Sequence, residues 1–77
     1  MAGQPVPEDS FLHSQEYLGF KHGHQRWRSA DQSRYFEWDS LHGEVEVYNK
    51  RGKHLGVFDA VTGELIKEAV RGRTIVV

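Results

Sequence analysis

Cysteine is absent from this 77-residue chain. Neither disulfides nor thiolate metal sites can staple it, and the absence suits a reducing compartment. An excess of one charge is missing too. Ten Lys and Arg stand against eleven Asp and Glu, for a net charge of -1. A generic nucleic-acid binder is usually basic, so this balance counts against a broad electrostatic footprint on a polyanion. No apolar run approaches the roughly 20 residues that span a bilayer. The N-terminus lacks the basic and apolar regions of a signal peptide. On that reading the chain stays where it is made, or is the working end of something larger. Pro5 and Pro7 are its prolines, and they mark residues 1–7 as a disordered leader. Residues 8–77 are then a single domain. A domain this small buries only about 60% of its unfolded surface. Aromatic residues make up 12% of the chain and include Trp27 and Trp38, which can build a small core around bulky rings.

Glu8 to Leu18 reads as a short helix, with Phe11, Leu12, Tyr17 and Leu18 on one face. Residues 19–33 are polar and show no period, which predicts a loop with one short extended piece. From residue 34 the pattern changes. Tyr35, Phe36 and Trp38 predict an aromatic strand ending near Asp39. Residues 44–49 alternate, with Val45 and Val47 on one side and Glu44, Glu46 and Tyr48 on the other. Asn49 to Gly52 is a turn signal. His54 to Asp59 is the returning strand, Thr62-Gly63 a further turn, and Glu64 to Lys67 a short strand. Thr74 to Val77 is a final β-branched strand. The expected fold is α+β and mostly β: about five short antiparallel strands behind a short N-terminal helix. No internal repeat or low-complexity segment is visible.

The densest chemistry lies between Asp39 and Glu46. If His42 already belongs to the strand, residues 42, 44, 46 and 48 share one face. That face carries an imidazole, two carboxylates and a phenol, and Asp39 can reach back toward His42. Such a set meets the needs of RNA cleavage without a metal. A base takes the proton of a 2′-hydroxyl, an acid protonates the departing 5′-oxygen, and a cation neutralises the phosphorane. Glu46 suits the base. His42 suits the acid because imidazole titrates near neutrality, and Asp39 supports it. Arg73 suits the cation because a guanidinium forks onto phosphate oxygens. On composition alone the plainer reading, a solvated strand face, is the commoner one.

The run Phe36-Glu37-Trp38-Asp39-Ser40-Leu41-His42-Gly43-Glu44-Val45-Glu46-Val47-Tyr48 resembles the core motif of the cytotoxic ribonuclease domain of the ribosome-inactivating colicins and cloacin. That motif is an aromatic followed by E-W-D-S-x-H-G-E-x-E-x-Y. The likeness continues through His54-Leu55-Gly56, Phe58-Asp59 and Thr62-Gly63, with the intervening turn one residue shorter. Upstream, Arg26-Trp27 matches an Arg-Trp pair. Leu41 and Val47 stand where the family carries other residues. The resemblance implies that Asp39, His42, Glu46 and Arg73 are the functional residues and that the fold is a highly twisted antiparallel sheet. It implies cleavage of small-subunit (16S) ribosomal RNA in the decoding centre, leaving a 2′,3′-cyclic phosphate and stopping translation. It also implies a cognate immunity protein or antitoxin, a cytoplasmic site of action, and secretion as part of a larger toxin.

The family's domain is strongly lysine-rich and this chain is nearly neutral. Counterion release drives much of RNA affinity, so contacts must come from a local rim. The candidate substrate-binding residues are Lys21, Arg26, Trp27, Arg34, Tyr48, Lys50, Arg51 and Lys53, with Arg28 a further cation of that rim. Trp27 and Tyr35 are candidates to stack on a base. His22-Gly23-His24 offers two imidazoles, which do not close a metal site, and no cofactor is expected. His54 has no assigned role. Two alternatives stay open: a ribonuclease of the same fold directed at another RNA, and a catalytically idle relative that only binds a partner. The intact Asp39, His42, Glu46 and Arg73 set argues against the second.

Overall fold

A computed structural model describes residues 3–77. It is a six-stranded antiparallel meander in which every strand pairs with its neighbours in sequence. The strands are β1 (Glu16–Lys21), β2 (His24–Arg28), β3 (Arg34–Asp39), β4 (Glu44–Asn49), β5 (His54–Phe58) and β6 (Leu65–Glu68). The expected mostly-β sheet is present, and three details of the expectation are corrected.

The short helix is replaced by a single 3-10 turn, Phe11–Ser14, capped by Ser10 Oγ, which accepts from Leu12 N at 3.1 Å. Phe11 and Leu12 turn into the core, but Tyr17 and Leu18 belong to β1. The expected loop at 19–33 contains the turn of a hairpin. His22 and Gly23 connect β1 to β2 with φ of 52° and 87°. Positive φ at both central residues is the geometry that suits a two-residue hairpin, and glycine adopts it without steric cost. The polar composition of this segment hid its strands, since β1 is an edge strand and largely exposed. The expected final strand is reduced to one isolated bridge, Lys53 to Thr74.

The alternation of β3 and β4 builds the core. Phe36 faces Val47 and Trp38 faces Val45 across the ladder, and all four are buried. Trp27 joins them from β2, Leu12 from the 3-10 turn and Ala60 from the loop after β5. Phe11 meets the Phe36 ring edge-on at 5.4 Å. Residues 1 and 2 of the expected leader lie outside the described residues. The rest of it is tied to the sheet: Gln4 N donates to Ser40 O, and Trp38 Nε1 donates to Gln4 O, both at 2.8 Å.

The opposite face of the sheet is polar and also partly covered. Arg26 on β2 faces Glu37 on β3. Its Nε and Nη2 both donate to Glu37 Oε2, at 2.9 and 2.7 Å, and Nη1 donates to Val76 O at 2.7 Å. The two side chains are 5% and 7% exposed. The C-terminal segment thus lies over this face without being a strand of it. A second anchor is Gly52, whose carbonyl accepts from Ile75 N at 2.8 Å. A Cβ at Gly52 would collide with the Ile75 carbonyl oxygen.

A buried ion pair stripped of one partner leaves an uncompensated charge, whereas replacement of both by apolar groups is close to neutral. Arg26→Met is therefore expected to lower stability by about 3–5 kcal/mol. The double variant Arg26→Met, Glu37→Leu should recover most of that loss. Urea unfolding of the wild type, both single variants and the double variant measures the coupling directly.

Candidate active site

Two strand-end turns share one design. Asp39 Oδ1 accepts from the amides of Leu41 and His42, both at 3.1 Å, and Asp39 O accepts from Gly43 N at 2.8 Å. Asp59 does the same after β5, with Oδ1 accepting from Val61 N and Thr62 N at 2.9 Å and its carbonyl from Gly63 N at 3.0 Å. Each is an Asp side chain standing in for a backbone turn. In the first turn the fourth position is His42. It lies in the turn and not in β4, which begins at Glu44, so the assumption that His42 shares the strand's alternation is corrected. Its placement comes from Asp39, whose Oδ2 meets His42 Nδ1 at 2.8 Å. That contact leaves Nε2 facing outward on an exposed ring. Burial raises the Asp39 carboxyl, but hydrogen bonds from the His42 ring and amide outweigh it and hold it below the ordinary carboxylate range.

Glu46 stands on the polar face of β4, opposite Glu37 on β3 and Val57 on β5. Its Oε1 accepts from His54 Nε2 at 2.7 Å and from Arg73 Nη1 at 3.0 Å. Arg73 arrives from the C-terminal segment, and its side chain is 45% exposed. Asp39, His42, Glu46 and Arg73 together line one open cleft of about 440 Å³, with Tyr48, Glu37, His24 and Leu41 completing its wall. Tyr48 is buried apart from what it shows this cleft. Burial, followed by the nearby Glu37 and Glu46 carboxylates, pushes its phenol up to about 12.

The remaining expected contacts are divided. Arg26 and Trp27 are buried and committed to the ion pair and the core, which places them behind the site and not on an RNA surface. Lys21 is exposed at the same end of the sheet as the His42 turn. Lys50, Arg51 and Lys53 are exposed at the opposite end, around the β4–β5 turn. Arg34 begins β3 at that end, opposite Asn49, but its guanidinium lies 5.7 Å over the ring of Phe58, the last residue of β5. Arg28 pairs with Glu16 at 2.9 Å. The expected basic rim is therefore two separate patches. Asp39, His42 and Glu44 bring ligand-type atoms within 4.8 Å of one another. Those atoms are engaged already, in the Asp39–His42 contact and in the Glu44 pair with Lys67 at 3.0 Å.

His54 and His24 are site residues that the sequence reading left unassigned. His54 is 1% exposed and touches Glu46. One extra residue in β5 produces this, because Val47 pairs with Gly56 while Tyr48 pairs with His54. The bulge turns His54 onto the Glu46 side. A glycine two residues after His54 was the available signal for it. His24 lines the cleft from β2, with Nδ1 3.4 Å from Trp38 O.

A family model described as Cytotoxic matches residues 17–76. The chain belongs to this family. It is also similar to cloacin of Escherichia coli, 46% identical over 43 residues, which is 54% of this chain and 8% of that protein. Colicin E3 of Escherichia coli is 46% identical over 44 residues, 56% of this chain and 8% of the toxin. The chain thus corresponds to a small part of each of these toxins. The family match begins at Tyr17, upstream of the Arg26-Trp27 pair.

The Tyr48 phenol gives a test of the cleft's burial. A group whose pKa is raised on folding stabilises the protein below its ordinary value, and that stability is lost as pH rises through the folded value. Here the window runs from the ordinary 10.0 up to about 12. Urea midpoints of the wild type are expected to fall across that window. Tyr48→Phe should show a visibly shallower fall, and an identical fall in both would refute the buried placement of the phenol.

Proposed function

We propose that this chain is a metal-independent endoribonuclease domain of a cytotoxin, acting on small-subunit (16S) ribosomal RNA at the decoding centre and blocking translation. The observation that carries the reading is the convergence of Glu46, His42 and Arg73 on one open cleft. Membership of the Cytotoxic family and similarity to cloacin and colicin E3 support it. Glu46 takes the proton of the 2′-hydroxyl. The 2′-oxygen attacks phosphorus, and the bond from phosphorus to the 5′-oxygen breaks. His42 gives that oxygen a proton from Nε2, leaving a 2′,3′-cyclic phosphate and a 5′-hydroxyl. Asp39 holds the imidazole ring by Nδ1 so that Nε2 faces the scissile bond. Arg73 places donors beside the phosphorane, where a guanidinium stabilises growing charge. No step calls for a Lewis acid, and the carboxylates nearest His42 are already paired. An acidic or otherwise complementary immunity protein or antitoxin would protect the producing cell. The site of action is the cytoplasm of the target cell, reached as part of a larger toxin.

One observation favours a second reading, a ribonuclease of this fold directed at another RNA. The exposed cations are few and split between two ends of the sheet, which suits a small or locally structured RNA as well as a ribosome.

The test is incubation of the purified protein with bacterial ribosomes, followed by electrophoresis of the RNA. A single short fragment from the 3′ end of the small-subunit RNA is expected. Glu46→Ala and His42→Ala should each slow its appearance about a hundredfold or more, Arg73→Ala about a hundredfold, and EDTA should leave the rate unchanged. Intact ribosomal RNA alongside cleaved transfer RNA would move the conclusion to the second reading.

A further inference from the structure

His54 is a buried, titratable side chain that the reaction just described does not use. Both of its ring nitrogens are engaged. Val70 N donates to Nδ1 at 2.9 Å, and Nε2 meets Glu46 Oε1 at 2.7 Å. An amide N–H can only donate, so Nδ1 must be the acceptor and carries no proton. The proton of the ring is therefore on Nε2, and Nε2 donates to the carboxylate. The loop that supplies Val70 also supplies Arg73. His54 N donates to Arg73 O at 3.0 Å, and Arg73 N donates to Val70 O at 3.2 Å. His54 thus grips the 70–73 turn with its backbone and one ring nitrogen, and grips Glu46 with the other. The Tyr48 ring, 5.2 Å away and inclined at 60°, closes one side of the imidazole.

These contacts distinguish the two oxygens of Glu46. Oε1 accepts from both His54 and Arg73. Oε2 receives no hydrogen bond from any described residue. We propose that His54 is a positioning residue that saturates Glu46 Oε1 and leaves Oε2 as the oxygen that takes the 2′-hydroxyl proton. The docked 70–73 turn sets this arrangement by fixing the proton of His54 on Nε2. The proposal rests on the ribonuclease reading above and deepens it. It makes the orientation of the base depend on whether the C-terminal segment is in place. The base and the phosphate-binding Arg73 are then assembled by one event, because the same residue holds both, Glu46 by its ring and Arg73 by its backbone N–H.

Two conservative variants separate the ends of the ring. The amide nitrogen of Gln falls near Nε2, so His54→Gln keeps a donor for Glu46. The amide oxygen of Asn falls near Nδ1, so His54→Asn keeps an acceptor for Val70 but withdraws from Glu46. With ribosomes as substrate, His54→Asn is expected to lose about a hundredfold in kcat with KM unchanged, the mark of a group that acts in the chemical step. His54→Gln should recover to within about tenfold of the wild type. A folded His54→Asn as fast as the wild type would overturn the proposal. So would folded Gln and Asn variants that are equally slow. Should neither variant fold, the long-range proton–nitrogen spectrum of the wild-type imidazoles at neutral pH decides. A proton on Nε2 with Nδ1 bare upholds the relay, and a proton on Nδ1 sinks it. Wild-type protein that leaves ribosomal RNA intact is a failure of the ribonuclease reading, and the spectrum then tests the His54 assignment on its own.

Discussion

The ion pair between Arg26 and Glu37 sets the terms for the polar face of this sheet. A charge withdrawn from water is tolerated only when paired and hydrogen-bonded. Here one guanidinium spends donors on a carboxylate of the next strand and on a carbonyl 50 residues away. That second bond fixes where the C-terminus can run. The segment after β6 has no strand ladder of its own. It is held at separate points: Val70 and Arg73 at His54, Thr74 and Ile75 beside the β4–β5 turn, and Val76 at Arg26. A chain end pinned in this way carries Arg73 across the sheet to Glu46. The apolar core on the other face sets the register of β3 and β4, and with it the face on which Glu46 stands. The site depends on polar contacts that are individually modest, about 1 kcal/mol each, and mutually supporting.

The placement of His42 arises from a more local device. The turns after β3 and β5 are both built by an aspartate whose side chain accepts from the amides two and three residues on, closed by a glycine that donates to its carbonyl. The second carries Thr62 and is a connector. The first carries His42, and the free carboxylate oxygen that the turn does not need holds the imidazole. One residue therefore shapes the loop and orients the ring. This accounts for Asp39 being held ionised against the effect of its own burial: the ionised form is the one that accepts all of these bonds.

Much of this was legible in the sequence, and the boundary has physical causes. Strands β3 and β4 read correctly because their apolar residues alternate and lie on one buried face. The cluster of Asp39, His42 and Glu46 was legible because its members lie within one hairpin, where spacing determines neighbourhood. The 8–18 helix failed because Phe11 and Leu12 are core residues of a 3-10 turn while Tyr17 already belongs to a strand. The mixed set imitates a helical face. Arg26 and His54 failed for a different reason. Whether a polar strand face is wet or covered depends on what crosses it, and the cover here is a C-terminal segment with no period of its own. His54 also needed the bulge at Gly56, which shifts the register by one and exchanges the faces.

The same kind of pairing recurs across the sheet. Arg26, Arg28, Lys67 and Arg73 each face a carboxylate. Formal charge is thereby cancelled in pairs, and the net value of -1 says little about the field inside the cleft. Of these four cations only Arg73 both borders the cleft with Glu46 and remains half open to solvent. In a nearly neutral chain this position matters more than number. A sheet studded with free lysines attracts any phosphate, whereas under the proposed function a single guanidinium fixed beside Glu46 favours a phosphate in line with His42. On the proposed function, affinity gathered by few charges is weakly salt-dependent, and discrimination among RNAs falls to the shape of the cleft. Its wall includes the exposed Leu41, which under the proposed function offers an apolar surface to a base turned out of its stack, while Tyr48 is buried against the His54 ring.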